Sequence, residues 1–152
     1  LVLVKSFHTR EAIAGAMELV GPGTVVMSLQ NGLGHEDILA ELVGRERLLA
    51  GKTYVGGVML GPGHIIAGVP GKETLIGELD GRLTPRALAI GEAFNAAGLA
   101  TALPQDIRAV QWGKLLLNLN NPVLKYYAAN TDQPTALYVN GRQYYITVRA
   151  KL

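Results

Sequence analysis

The sequence predicts an α/β chain. A partial parallel sheet with helical crossovers comes first, then an antiparallel extension, then a long helix that begins a second, helical unit. Three observations predict it. Apolar strand-like runs alternate with amphipathic helical stretches up to Val43, the pattern of parallel strands joined by helices. Beyond Leu48, Pro–Gly turns separate short strand-like stretches by loops too short for crossovers, which fits antiparallel pairing. Asp106 then stands as a cap before a helical stretch running at least to Leu124.

Each element has a local reason. Leu1–Val4 is a continuous apolar run, expected for a strand covered on both faces. From Thr9, a candidate N-cap, Ala12, Ile13, Ala16, Met17 and Val20 recur at helical steps, predicting a helix to Val20. Gly21-Pro22-Gly23 stops it, and β-branched Thr24–Leu29 reads as a buried strand. Gln30-Asn31-Gly32-Leu33-Gly34 turns the chain into a helix over His35–Val43. Strands are expected over Leu49–Leu60, Ile65–Val69 and Glu73–Leu79. Pro85–Ala97 is the next helix, capped by Gly98, and Leu99–Leu103 is a short strand.

Composition narrows the class. Of the 152 residues 49% are hydrophobic and 17% charged, which excludes a disordered chain. A net charge of +2 is too slight to argue for a nucleic-acid partner. No apolar run approaches the roughly 18 residues of a membrane span, so no membrane partner is expected. The absence of cysteine excludes a disulfide scaffold, a thiolate zinc site and a Cys nucleophile. His8, His35 and His64 are scattered without carboxylates at ligand spacing, so no metal is expected. Leu1–Val4 is too short for the core of a signal peptide and has no basic segment before it; a cytoplasmic location is the expectation. Because the chain opens on Leu inside an apolar run, processing or a missing upstream segment is expected.

The strongest chemical signal lies on the long helix. At about 100° per residue, Lys114, Asn118 and Asn121 share one stripe, and Trp112, Leu115, Leu116 and Leu119 fall opposite. The apolar face is expected to bury, leaving one ammonium and two carboxamides to present to a ligand. Asn is a poor helix former, so two beside a Lys suit a small oxo-acid anion. The competing reading is an ordinary solvated face. Pro122 removes a backbone hydrogen bond and predicts a kink. The second signal is the Gln30–Gly34 turn, where a parallel strand ends and a helix begins, a place that receives ligands. Asn31 is positioned to touch one there, and Gly32 admits close backbone approach; a plain Asn-Gly turn is the alternative. Lys5 would close the first strand at the same crevice, or simply lie on the surface. Gly56-Gly57 is a third approach point, or only a bulge.

In order, VLVKS, SLQNGLG, GRERLLAG, the IIAG and IGELDG stretches and IRAVQWGKLLLNLNN resemble the ketopantoate reductase (2-dehydropantoate 2-reductase) family over roughly residues 1–128. QNGLG followed about eighty residues later by W-x-K-L-L-x-N is the specific part. The resemblance implies a Rossmann domain that binds NADPH, joined to a helical domain, with the substrate between them. It implies hydride transfer to the keto carbon of ketopantoate, giving pantoate for pantothenate and coenzyme A. It also implies Lys114 as catalytic general acid, and Asn118, Asn121 and Asn31 as substrate-binding residues. Asn31, Lys5 and Gly57 would be the cofactor-binding residues. The expected units are residues 1–103, the C-terminal part of a Rossmann-like dinucleotide-binding domain, and 104–130, the start of a helical substrate and dimerisation domain. A tail over 131–152 follows.

Two departures accompany the resemblance. No Gly-x-Gly-x-x-Gly run occurs in these 152 residues, so weak or no NADPH binding by this chain alone is expected. The tail alternates Tyr144, Ile146, Val148, Ala150 and Leu152 with Tyr145, Thr147, Arg149 and Lys151 after Asn140-Gly141, which predicts a β-hairpin. No counterpart appears there for the Ser and Glu that the resemblance leads one to expect, so an incomplete chain is the reading. An unpaired strand there would be a sticky edge, and a homodimer is left open. The alternatives to a ketopantoate reductase are a non-catalytic remnant or interaction module of the same fold, and a related 2-oxo acid reductase.

Overall fold

A mixed four-stranded sheet organises the chain in this computed structural model, which describes residues 1–119, 135–139 and 142–146. In chain order, α1 (Thr9–Ala14) precedes β1 (Val26–Ser28), α2 (His35–Val43) and β2 (Leu48–Thr53). A hairpin of β3 (Gly56–Gly61) and β4 (His64–Gly68) follows, then β5 (Thr74–Gly77), α3 (Pro85–Ala96), β6 (Thr101–Ala102) and α4 (Ile107–Leu119). β7 (Thr135–Val139) and β8 (Arg142–Ile146) pair antiparallel with Val139 opposite Arg142, flanking the predicted Asn140-Gly141 turn, which lies outside the described residues.

The sheet order is β1-β2-β5-β6. β1 and β2 are parallel with Met27 opposite Leu49, β2 and β5 are antiparallel, and β5 and β6 are parallel. The α/β expectation stands, with one refinement. Of the three stretches read as an antiparallel extension, the first (Leu49–Leu60) divides into β2, which joins the main sheet, and β3, which forms a separate hairpin with β4. β5 returns to the main sheet beside β2, where Ile76 is fully buried among Met27, Leu49 and Ala87.

Strand alternation divides the core into two layers. Val26 and Leu48 join Val2, Ile13, Leu39 and Val43 on the face covered by α1 and α2. Met27 and Leu49 join Ile76 and Ala87 on the face covered by α3. Full burial of a Leu or Ile side chain contributes roughly 1.5–3 kcal/mol, so these layers carry the fold. Thr84 caps α3 by accepting from the Ala87 N–H at 3.3 Å, with Pro85 in the first turn. Asp106 caps α4 as expected, accepting from the Ala109 N–H at 2.9 Å.

Three expectations are corrected. The first apolar run is not covered on both faces: only Val2 is buried, bridging Ser28 in parallel, while Leu1 and Leu3 are exposed at the sheet edge. The first helix ends at Ala14 with Gly15 at its C-cap, and Met17–Leu19 continues as one 3₁₀ turn. Thr9 is its first residue rather than its cap, because its hydroxyl is occupied elsewhere. It donates to the Ser6 carbonyl at 2.9 Å and accepts from Gln30 Nε2 at 2.9 Å. The third correction concerns α4, which packs by the face expected to be free. Ile107 and Gln111 are buried and Lys114 is half-buried, whereas Trp112 and Leu116 are exposed. Hydrogen bonds tie the inner face to α2, β2 and the turn after β1.

Gly51 in β2 reports how tightly the layers meet. A Cβ there would lie 2.4 Å from Leu29 Cδ2 and 3.2 Å from the Ser28 carbonyl oxygen. Gly51→Ala is expected to lower the unfolding free energy by about 1–3 kcal/mol through overpacking, read by urea titration; an unchanged midpoint would contradict this packing.

Candidate active site

The parallel strands β1 and β2 deliver their carboxyl ends to one edge of the sheet. There β1 runs into Gln30-Asn31-Gly32 and β2 ends at Thr53-Tyr54. Gly32 and Gly34 adopt φ of 100° and 82°, a left-handed backbone that L side chains rarely take. The chain can therefore reverse tightly and enter α2 with Asn31 at the apex.

Lys114 reaches this edge from α4. Its Nζ donates to Asn31 Oδ1 at 3.0 Å and to the Thr53 carbonyl, and lies 5.1 Å from the centre of the Tyr54 ring. Burial lowers its pKa below the ordinary lysine value of 10.5. Two acceptors take two of its three N–H groups, and the third suits a ligand oxygen. Gln111, one turn earlier, donates to Glu36 Oε1 of α2 at 2.6 Å. These bonds explain why the polar face of α4 is turned inward.

Lys52 of β2 was not anticipated from sequence. It is 2% exposed, and its Nζ donates to the carbonyls of Gln30 and Gly32, each at 2.8 Å. Burial, and then the charge of Lys114, push its pKa down to about 8, against an opposing pull from Glu36. A lysine inside the otherwise apolar run Leu48–Thr53 was the one signal available. His35 Nε2 donates to the Asn31 carbonyl at 2.8 Å, and its Nδ1 is buried without a hydrogen-bond partner among the described residues.

The structure thus brings Lys114 and Asn31 together. Asn118 follows four residues later in α4, and Asn121 lies outside the described residues. Lys5 is exposed beyond Val4, whose carbonyl accepts from Gln30 Nε2 at 2.5 Å. Gly57 sits in the β3–β4 hairpin opposite Ala67. Among the described residues, no hydrogen bond joins Lys5 or Gly57 to Lys114.

Parallel strands with helices on both faces, and a polar site at their carboxyl edge, define a Rossmann-type α/β protein. Residues 1–81 match the family model for the ketopantoate reductase PanE/ApbA. The chain belongs to the ketopantoate reductase family. It is 36% identical over 123 residues to the 2-dehydropantoate 2-reductase of Archaeoglobus fulgidus, a match covering 80% of this chain and 40% of that protein. The crystal structure of 2-dehydropantoate 2-reductase from Geobacter metallireducens superposes with a TM-score of 0.73 at 30% identity, covering 88% of this chain and 44% of the other. The ternary structure of D-mandelate dehydrogenase with NADH and anilino(oxo)acetate shares the fold. It superposes with a TM-score of 0.67 at 22% identity, over 78% of this chain and 39% of that one. The chain spans about two-fifths of the length of the curated relatives it matches.

A nicotinamide nucleotide fits this edge in part. The Asn31 carboxamide and Gly32, which carries no side chain, stand at this edge. The phosphate cradle of a Gly-x-Gly-x-x-Gly turn is not among these 152 residues.

The buried amine makes stability pH-dependent. Lys52 has a pKa of about 8 when folded and near its ordinary 10.5 when unfolded, so between these values the unfolded chain binds more protons. Stability is expected to rise by about 3 kcal/mol from this site as pH climbs from about 8 to 10.5. Urea titrations across that window should show the rise in the parent chain and its loss in Lys52→Met.

Proposed function

We propose that this chain carries the carbonyl-reducing edge of a nicotinamide-dependent 2-oxo acid reductase, with 2-dehydropantoate (ketopantoate) as substrate and NADPH as cofactor. The observation that carries this is the half-buried Lys114 ammonium, held by Asn31 and Thr53 at the carboxyl edge of parallel strands. Family membership supports the same reading, as do relatives named 2-dehydropantoate 2-reductase. A neighbour of the same fold holds NADH and an oxo-acid analogue.

In this reading residues 1–103 form the cofactor side, and residues 104–130 begin the substrate side. Asn31, Lys5 and Gly57 hold the nucleotide, which supplies the hydride when bound. Lys114 places its third N–H on the keto oxygen of the substrate. As the carbonyl is reduced, negative charge grows on that oxygen. The ammonium stabilises it and then gives up a proton, leaving a neutral amine and a hydroxyl. Asn31 and the Thr53 carbonyl orient the amine toward its target. Asn118 and Asn121 bind the polar groups of the substrate. The product is pantoate, made in the cytoplasm on the route to pantothenate.

In a full-length context, Lys114→Ala is expected to lower ketopantoate-dependent NADPH oxidation by about 10²–10⁴-fold. Unchanged turnover would overturn the assignment. Because the acid must be protonated, rate should fall as pH rises through a value below the ordinary lysine 10.5. NADPH fluorescence titrated against the 152-residue chain should show weak or no saturable binding, since no Gly-x-Gly-x-x-Gly turn occurs among these residues. Tight saturation would show that other groups here hold the phosphates.

A further inference from the structure

The Gln30–Gly32 turn is tied by all three of its carbonyls. Lys52 takes the first and third, and His35 takes the second. Such oxygens normally point to water or pair within a ladder. Here side chains from β2 and α2 hold them, and the side chain between the two Lys52 bonds is Asn31, the one that meets Lys114. We propose that Lys52 is a positioning residue for Lys114: its amine clamps the carbonyls on either side of Asn31 and so fixes the carboxamide that orients the Lys114 amine. The inference rests on the reading of Lys114 as the proton donor of the site.

The chemistry of the clamp is specific. Two carbonyls need two N–H donors at the end of a side chain long enough to leave the sheet. A lysine supplies them in both protonation states, since a neutral amine keeps two N–H groups. The clamp therefore survives the pH at which a buried lysine loses its charge. The titratable groups around it are Lys114 from α4, and Glu36 and His35 from α2. Neither Met nor a thioether of similar length can donate, although both fill the slot.

The absence of cysteine in these 152 residues permits a clean test. Lys52→Cys introduces a single thiol, which can be alkylated in the unfolded state before refolding. Aminoethylation rebuilds a side chain of lysine length with its amine. Methylthiolation leaves a similar chain without a donor. Lys52→Met is the genetic counterpart, and the modified pair serves where that variant does not fold.

The readout is the side-chain amide resonance pair of Asn31 and the Lys114 side-chain resonances in the folded 152-residue chain. The donorless forms should move them toward the values of solvated Asn and Lys residues, and aminoethylation should restore the parent values. Identical Asn31 and Lys114 resonances in the aminoethyl and methylthio forms would overturn the proposal. In a full-length context, Lys52→Met should lose about 10–100-fold in kcat with little change in the KM for NADPH. A full-length parent without turnover would count against the reductase reading, while the resonances still decide the role of Lys52.

Discussion

An amine taken out of water must find acceptors, and that requirement shapes the carboxyl edge of this sheet. Lys52 lies within β2 with almost no solvent contact. Ladder carbonyls are already paired, so its nearest acceptors are those of a turn that has left the ladder. Gln30 and Gly32 provide them. The turn must then double back tightly, which Gly32 and Gly34 permit by their positive φ. That geometry raises Asn31 to the apex, where it receives the Lys114 amine and helps dock α4. One desolvated nitrogen thus links a central strand, a turn and a helix more than fifty residues further along the chain.

The two edges of the sheet differ in charge. At the far edge, where β2 begins and β5 ends, Arg86 meets Glu78 through two hydrogen bonds of 2.6 Å and also reaches the Leu48 carbonyl. The Arg86 hydrogen bond holds the Glu78 carboxyl below its usual range, and the cation and anion balance. At the carboxyl edge, among the described residues, the amines of Lys52 and Lys114 lie near each other, and Glu36, which acts on Lys52, is itself engaged by Gln111. Closed pairing serves stability. An unbalanced cation in a partly dry place favours an arriving anion, and a 2-oxo acid carries its carboxylate beside its carbonyl.

Much of this was open to reading from sequence. α2 and α3 follow from helical periodicity and their flanking turns, and Asp106 announces the start of α4. Lys114 and Asn31 were each picked out by local chemistry, one by its stripe and one by its corner. What sequence could not tell is which side of α4 faces inward. Its apolar stripe is the more hydrophobic one, yet Trp112 and Leu116 are exposed. Periodicity measures the contrast between two faces, not which neighbour is nearer. The return of β5 to the main sheet was hidden for a similar reason, since short loops predict pairing but not with which partner. Lys52 escaped because a lysine near a strand end ordinarily extends its charge into water.

The inner face of α4 shows how a polar contact can set a position that apolar packing leaves loose. Ile107, Gln111 and Lys114 succeed one another at helical spacing along one stripe. Ile107 is buried beside Gly77, where an added Cβ would come within 3.3 Å of its own. Gln111 then bonds Glu36, and Lys114 bonds Asn31 and the Thr53 carbonyl. The stripe passes from apolar to amide to cation as it approaches the edge. An apolar contact tolerates sliding by a fraction of a turn, because dispersion has no direction. Two directional bonds to groups on separate elements do not, because a shift that shortens one lengthens or bends the other. The helix is therefore anchored by hydrophobic burial at its start and registered by hydrogen bonds where its amine has to be placed.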